Sequence, residues 1–359
     1  MKTAPLVPQR INFGYHYRTL RAGRSIGLRF SARSVTVCSI LAVLAVLGAV
    51  LSLGIGDYPL SPAQVIESLA GQGDDFHRLI VIEWRLPAAV AAIVFGALLG
   101  IGGAIFQSLT RNPLGSPDVI GFDAGSYTAV VITILVLGAN QYWYIAAAAL
   151  VGGLLTAVIV YLLSYRRGVQ GFRLIIVGIG VSAMLGSINS YLITRADITD
   201  AMSVGFWAAG SLSRVGWDSL LPGVVGSILI LVGVTTLAPA LRQLELGDDA
   251  ALAQGVSASY ARPLLLILGV ATTALVTAAA GPIGFVALAA PQLARRLTRT
   301  PGVTVTAAAF MGAALLSLAQ LLSLVIAQIY RPVPVGLITV SLGGLYLIWL
   351  LIRETRRSV

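Results

Sequence analysis

The sequence predicts an all-α, polytopic membrane protein with about ten transmembrane helices. Three observations carry that expectation. Of 359 residues, 57% are hydrophobic and only 11% charged, where a soluble domain carries about 25%; so little charge cannot keep a large surface wet. Apolar runs of bilayer length recur along the chain. The basic residues between those runs fall mostly on one side.

Crossing the hydrocarbon takes about 20 apolar residues. Ten runs approach that length, at 34–55, 86–108, 119–138, 142–164, 174–194, 217–240, 263–280, 284–298, 303–326 and 334–352. The first is too long for the apolar core of a signal peptide and reads as a span. The third carries Asp123, and the eighth is short. With the N-terminus in the cytoplasm, 19 of the 24 Lys and Arg residues lie on the cytoplasmic side. Arg78, Arg85, Arg195, Arg214 and Arg331 are the five outside. Cytoplasmic loops are the ones enriched in Lys and Arg, so the split supports both the count and the direction. Losing one span would put basic loops on the wrong side.

The segments between spans follow. Residues 1–33 carry seven Lys and Arg and are expected to form a disordered, basic cytoplasmic segment; residues 356–359 form a cytoplasmic tail. In LSPAQVIESL (60–69), Ser61 can cap a helix beginning at Pro62, which would lie amphipathically on the outer surface. Residues 195–216 mix charge with Phe206 and Trp207, and Trp207 reads as an interfacial anchor. Gly96 and Gly100, then Gly121 and Gly125, have the spacing that lets helix backbones approach closely inside one bundle.

Several chemistries are missing. Lys2 is the only lysine, so a phosphate-binding loop with its lysine is impossible and the chain does not hydrolyse ATP by that route. No span core shows a clear ionisable relay of the kind ion-coupled transporters use; Asp118 and Asp123 fall close to the cytoplasmic boundary. Cys38 stands alone, and His16 and His77 are isolated, so no metal cluster is expected. A membrane enzyme would need a nucleophile and base that cannot be pointed to. What remains is a passive path driven from elsewhere, with an ion-coupled secondary transporter as the alternative.

The stretch LRQLELGDDAALAQGV (241–256) stands out between the sixth and seventh spans. Asp248 can cap a helix whose first turn gains from acidic charge, and Gly255 can end it. About two turns are too few for stability alone in water. The segment is either an ordinary solvated turn or a short helix that seats in a partner's groove.

Four ordered stretches resemble the FecCD-type permease family, the transmembrane subunits of ATP-binding-cassette importers for iron–siderophore complexes, haem and cobalamin. They are RLPAAVAAIVFGALLGIGGAIFQSLTRNPLGSPDVIGFDAGS (85–126), LELGDDAALAQGV (244–256), GPIGFVALAAPQLARRL (281–297) and PVGLITVSLGGLYLIWLL (334–351). The resemblance covers about residues 34–355. It implies a type II importer permease fold for that domain, in the bacterial cytoplasmic membrane, paired with a second permease that is identical or related. It implies a ferric siderophore as cargo, with haem or cobalamin as alternatives. The chain itself would bind no cofactor, metal or nucleic acid; ATP would be used by separate ATP-binding subunits. Residues 244–256 would dock on those subunits through Glu245, Leu246, Gly247, Asp248, Asp249, Ala250, Ala251 and Gly255. The acids would meet basic or polar groups, and the small residues would permit close approach. An extracytoplasmic binding protein would dock on Arg85, which matches the first arginine of the family's RLPR motif, with Arg78, Arg195, Arg214 and Arg331 as further candidates. Ala88 replaces the second arginine of that motif, and Gln292 replaces the histidine of the family's PHIAR. Gly171 and Phe172 fall where the family's cytoplasmic gate forms.

Overall fold

The computed structural model describes residues 17–22, 26–118, 120–165 and 171–355. The helices are α1 (Ala32–Gly54), α2 (Pro62–Leu69), α3 (Asp75–Arg78), α4 (Leu86–Thr110), α5 (Phe122–Leu135), α6 (Tyr142–Ser164), α7 (Gly171–Arg195) and α8 (Ile198–Ala208). They continue as α9 (Trp217–Glu245), α10 (Asp248–Ala253), α11 (Ala258–Ala280), α12 (Val286–Thr298), α13 (Val305–Ile329) and α14 (Val335–Thr355). A π-helical turn, Leu79–Arg85, joins α3 to α4. Among the described residues, seven helices are long and apolar enough to cross a membrane, with Asp75–Thr110 taken as one; Phe122–Leu135 and Val335–Trp349 are shorter apolar helices. Each of the ten expected runs is a helix, and the eighth, α12, is 13 residues long.

Where no fixed structure is expected, Tyr17–Ala22 (β1) and Ile26–Ser31 (β2) pair as an antiparallel hairpin. Residues 1–16, 23–25 and the tail at 356–359 lie outside the described residues.

Helix α4 is the centre of the bundle, packed by α13, α12, α11 and α9. Its glycines explain how. A Cβ on Gly96 would stand 2.5 Å from the Gly312 carbonyl oxygen on α13, and Gly100 meets the Ala308 backbone the same way. Between helices in lipid there is no hydrophobic driving force, so close backbone packing of this kind holds the bundle together. Gly125 and Gly152 do the same between α5 and α6. Both glycine pairs read from the sequence therefore pack inside one chain.

Helix α12 is short because the chain breaks before it. Gly281 and Phe285 have positive φ, 77° and 69°. The Phe285 N–H donates to the Asp118 carboxylate at 3.0 Å, so a backbone donor freed inside the bundle is satisfied. Asp118 thus holds the start of α12 from 167 residues away. Asp123, in the first turn of α5, accepts from the Thr277 hydroxyl at 3.1 Å.

The outer loops match in part. Helix α2 starts as expected, with Ser61 and Gln64 forming a reciprocal capping box. Trp207 does not serve as an interfacial anchor. It is buried and stacks on Tyr127, ring centroids 6.1 Å apart, because α8 folds back onto α5; Phe206 beside it is the exposed aromatic.

Candidate functional site

Helix α9 ends at Glu245, and the chain turns through Gly247 (φ 120°) into α10, then through Gly255 (φ 82°) toward α11. Both turns need backbone angles that side chains resist, so glycine fits each. The Val256 N–H donates to the Ala251 carbonyl at 2.9 Å, closing the end of the helix. Six residues cannot hold a helix by themselves; tertiary bonds do it here.

The main one centres on Asp248. Arg262, from α11, grips its carboxylate with both terminal nitrogens, at 2.6 and 3.1 Å. Arg111, just past α4, adds a bond of 3.1 Å to the same carboxylate. The Arg262 side chain is only 11% exposed and Asp248 47%. A forked pair on a nearly buried guanidinium holds geometry better than an open surface pair, which contributes ~0–1 kcal/mol. One step away, Ser108 of α4 donates to Glu245 at 2.5 Å. Gly302 faces the other Glu245 oxygen, where a Cβ would come within 2.8 Å. Asp248 lies inside the first turn, and Gly247 holds the cap position.

The eight residues named from the resemblance therefore divide. Glu245 and Asp248 are bound within the chain, and Ala251 is fully buried on the inner side of α10. Gly247 and Gly255 shape the turns, and Ala250 is half-buried. Leu246, at 70% exposure, and Asp249 face outward, and so does Leu252, at 66%, which sequence reasoning left out. Arg111, Arg262 and Ser108 were missed as well. Arg111 and Ser108 lie 137 residues from their partners, and no local pattern links them. Beside α10 a cavity of about 180 Å³ is lined by Gln107, Ser108, Arg111, Glu245, Gln292 and Arg295. There Gln292, in the place of the family's histidine, donates to Gln107, whose own amide donates to the Leu288 carbonyl at 2.9 Å.

At the opposite rim, Arg85 does not point away from the chain. Its two terminal nitrogens donate to the carbonyls of Leu53 and Tyr58 at 2.8 and 2.6 Å, and it fixes the loop between α1 and α2. Arg78 pairs with Asp75 at 3.3 Å. Arg195 is exposed and lies over the Tyr191 ring, and Arg214 reaches the Trp207 carbonyl at 3.5 Å. Arg331 is exposed. Gly171 opens α7 and Phe172 follows it at 73% exposure, while residues 166–170 lie outside the described residues.

Comparison with known proteins adds the following. The model of the FecCD transport family matches residues 43–353. The ferric enterobactin transport system permease protein FepG of Escherichia coli (strain K12) is 43% identical over 330 residues, covering 91% of this chain and 99% of that protein. The vitamin B12 import system permease protein BtuC of Yersinia enterocolitica is 30% identical over 316 residues, covering 87% and 91%. A solved structure described as an inward-facing, metal-chelate type ABC transporter superposes with a TM-score of 0.75 at 26% identity, over 89% of this chain and 99% of that one.

Proposed function

This chain belongs to the FecCD transport family, and from that premise we propose that it is the permease subunit of an ATP-driven importer for a ferric siderophore. The observation that carries the reading is the nearly end-to-end match to the ferric enterobactin permease at 43% identity. The chain is a multi-pass membrane protein. Its membrane is the bacterial cytoplasmic membrane, with the N-terminus and α10 inside, a direction the Lys and Arg distribution supports.

The geometry supports a mechanism with no chemistry in this chain. ATP-binding subunits seat on α10 through the outward set Leu246, Asp249 and Leu252. Because Asp248 is held by arginines next to α4 and within α11, a push on α10 is delivered to two spanning helices at once. Glu245 and Ser108 make a third link, again to α4. At the other rim an extracytoplasmic binding protein delivers the solute, meeting the exposed Arg195 and Arg331.

A second permease, identical or related, covers α7. Of the seven long apolar helices, α7 is both the least apolar and the least buried within the chain. Lipid would favour the reverse, since polar groups facing hydrocarbon are costly. Gly180 and Gly186 on α7 and Gly344 on α14 have no neighbour within 4 Å of a Cβ position. Unpacked glycine costs a helix about 1 kcal/mol against alanine, so these glycines suit a close partner or a solute path. Phe172, exposed at the start of α7, would narrow that path at the cytoplasmic end.

The test is uptake by a strain deleted for this chain, with and without the gene restored. Labelled ferric enterobactin, ferric hydroxamate, ferric citrate and cobalamin are offered in turn. Restored uptake of ferric enterobactin is expected. Restoration of cobalamin uptake alone would refute the siderophore assignment.

A further inference from the structure

We propose that the hollow between the ends of α4, α9 and α12 is a second seat for an ATP-binding subunit, one that takes a single acidic side chain of that subunit. The proposal rests on the permease reading and deepens it, since the seat adjoins α10 but uses chemistry of the opposite sign.

The lining gives the first argument. The hollow measures about 180 Å³ and is walled by Ser108 and Arg111 at the end of α4, Glu245 at the end of α9 and Arg295 on α12. Small-molecule sites run to roughly 300–1,000 Å³, so this one suits a single side chain. Its free groups are mostly donors. Arg295 is exposed and takes part in none of the ion pairs among the described residues. Arg296 beside it is turned away, over the rings of Trp349 and Tyr346 at 5.4 and 5.9 Å. Asn112, also on the wall, accepts from the Leu114 N–H at 2.9 Å through its side-chain oxygen, which leaves its amide nitrogen to donate. Glu245, the one acid on the wall, already accepts from Ser108. Two guanidiniums against one engaged carboxylate suit a carboxylate ligand, which while ionised only accepts.

The backbone gives the second. Helices α4 and α12 both end on an arginine in the left-handed region, Arg111 at φ 49° and Arg299 at φ 53°. Glycine takes that position without strain and is the usual residue there. The chain holds 39 glycines yet carries arginine at both helix ends, so the side chains serve where they stand. The dipole at a helix end favours positive charge, but it accounts for neither the left-handed backbone nor the hollow. Continuity with α10 names the occupant. Arg111 walls the hollow and also reaches Asp248 at 3.1 Å, and Leu246, 70% exposed, directly follows Glu245. A partner seated on Leu246 and Leu252 thus passes beside the hollow's mouth. A free phosphate offers the same acceptor oxygens; what favours the subunit is that one arginine serves both surfaces. An acid seated there draws on the arginine that holds Asp248, so α4 and α10 feel the docking together.

The test titrates the ATP-binding subunits onto the full-length permease in lipid nanodiscs, without cargo or binding protein. At low salt, Arg295→Glu should weaken their binding about tenfold or more and Arg295→Gln a few-fold, while Arg295→Lys stays within about twofold of wild type. Molar salt should shrink these differences, since it screens exposed charges. The unfolding temperature of the isolated chain should not move, because Arg295 is exposed. Pro301 also lines the hollow. Pro301→Cys in a Cys38→Ser background, carrying a benzophenone label, should cross-link to an ATP-binding subunit at a segment that contains Asp or Glu. Changing that acid to Lys should restore binding to Arg295→Glu. Wild-type affinity in Arg295→Glu would overturn the proposal, and so would a cross-linked segment without an acid. Inorganic phosphate that raises the unfolding temperature of the wild-type chain but not of Arg295→Glu, with equal subunit affinity in both, would assign the hollow to a small anion instead. Failure of the wild-type chain to bind the ATP-binding subunits at all would sink the permease reading itself, a result distinct from equal binding by wild type and variant.

Discussion

The two ends of the molecule use charge in the same unexpected way but leave different surfaces free. At the α10 end two of the three acids that looked like docking contacts, Glu245 and Asp248, are taken by the chain's own Ser108, Arg111 and Arg262. At the far rim the arginine that looked like the leading contact, Arg85, is taken by two backbone carbonyls. In both places the charged group sets the shape of a loop that a partner would meet. The contrast is in what remains. The α10 end presents leucines around one acid, and the far rim presents single arginines. An apolar face suits a partner that stays, and isolated charges suit one that arrives by diffusion and leaves.

The comparison can be broken most severely at Arg262. Arg262→Ala removes both arms of the fork and should cost about 2 kcal/mol, since it leaves a half-buried carboxylate short of donors. Uptake should fall more than about tenfold while ATP hydrolysis by the assembled complex persists, because the motor then moves α10 without moving α11. Unchanged uptake would mean that Asp248 does not transmit. Ala251→Leu should come next, destabilising by about 1–3 kcal/mol through overpacking, read as a lower unfolding temperature of the isolated chain. A loss of coupling at wild-type stability would instead place Ala251 in the docking face.

Smaller changes sharpen the contrast. Leu252→Asp should leave stability within about 0.5 kcal/mol yet weaken binding of the ATP-binding subunits roughly tenfold in a pull-down titration, as loss of an interface anchor does. Arg85→Gln should loosen residues 55–60, with faster proteolytic nicking there and a stability loss of about 1 kcal/mol. Arg331→Glu should do least. It should leave the fold intact and slow association with the binding protein a few-fold at low ionic strength, an effect that salt removes.

Much of the fold was legible because hydropathy acts over whole segments. The ten runs survive as helices even where α12 is short, since each contains enough apolar length to be recognised without knowing its neighbours. The glycines at 96, 100 and 125 were legible for a similar reason, spacing on a helix being local. The site was less legible. Asp248 and Glu245 carry the right chemistry for contact, but Arg111 and Ser108 reach them from the end of α4, 137 residues away, and only Arg262 lies near in sequence. Trp207 could be weighed only as an aromatic near a membrane edge, whereas its place is set by Tyr127 on another helix. Contacts made across the bundle decide these residues, and no local pattern reports them.

The central claim is that this chain is a conduit moved from outside itself through α10. The direct measurement is solute accumulation in proteoliposomes, comparing the permease alone with the permease assembled with its ATP-binding subunits and binding protein. The account expects accumulation only in the complete assembly with ATP, and none when Arg262→Ala breaks the hold on α10. Accumulation against a gradient by the permease alone would contradict it.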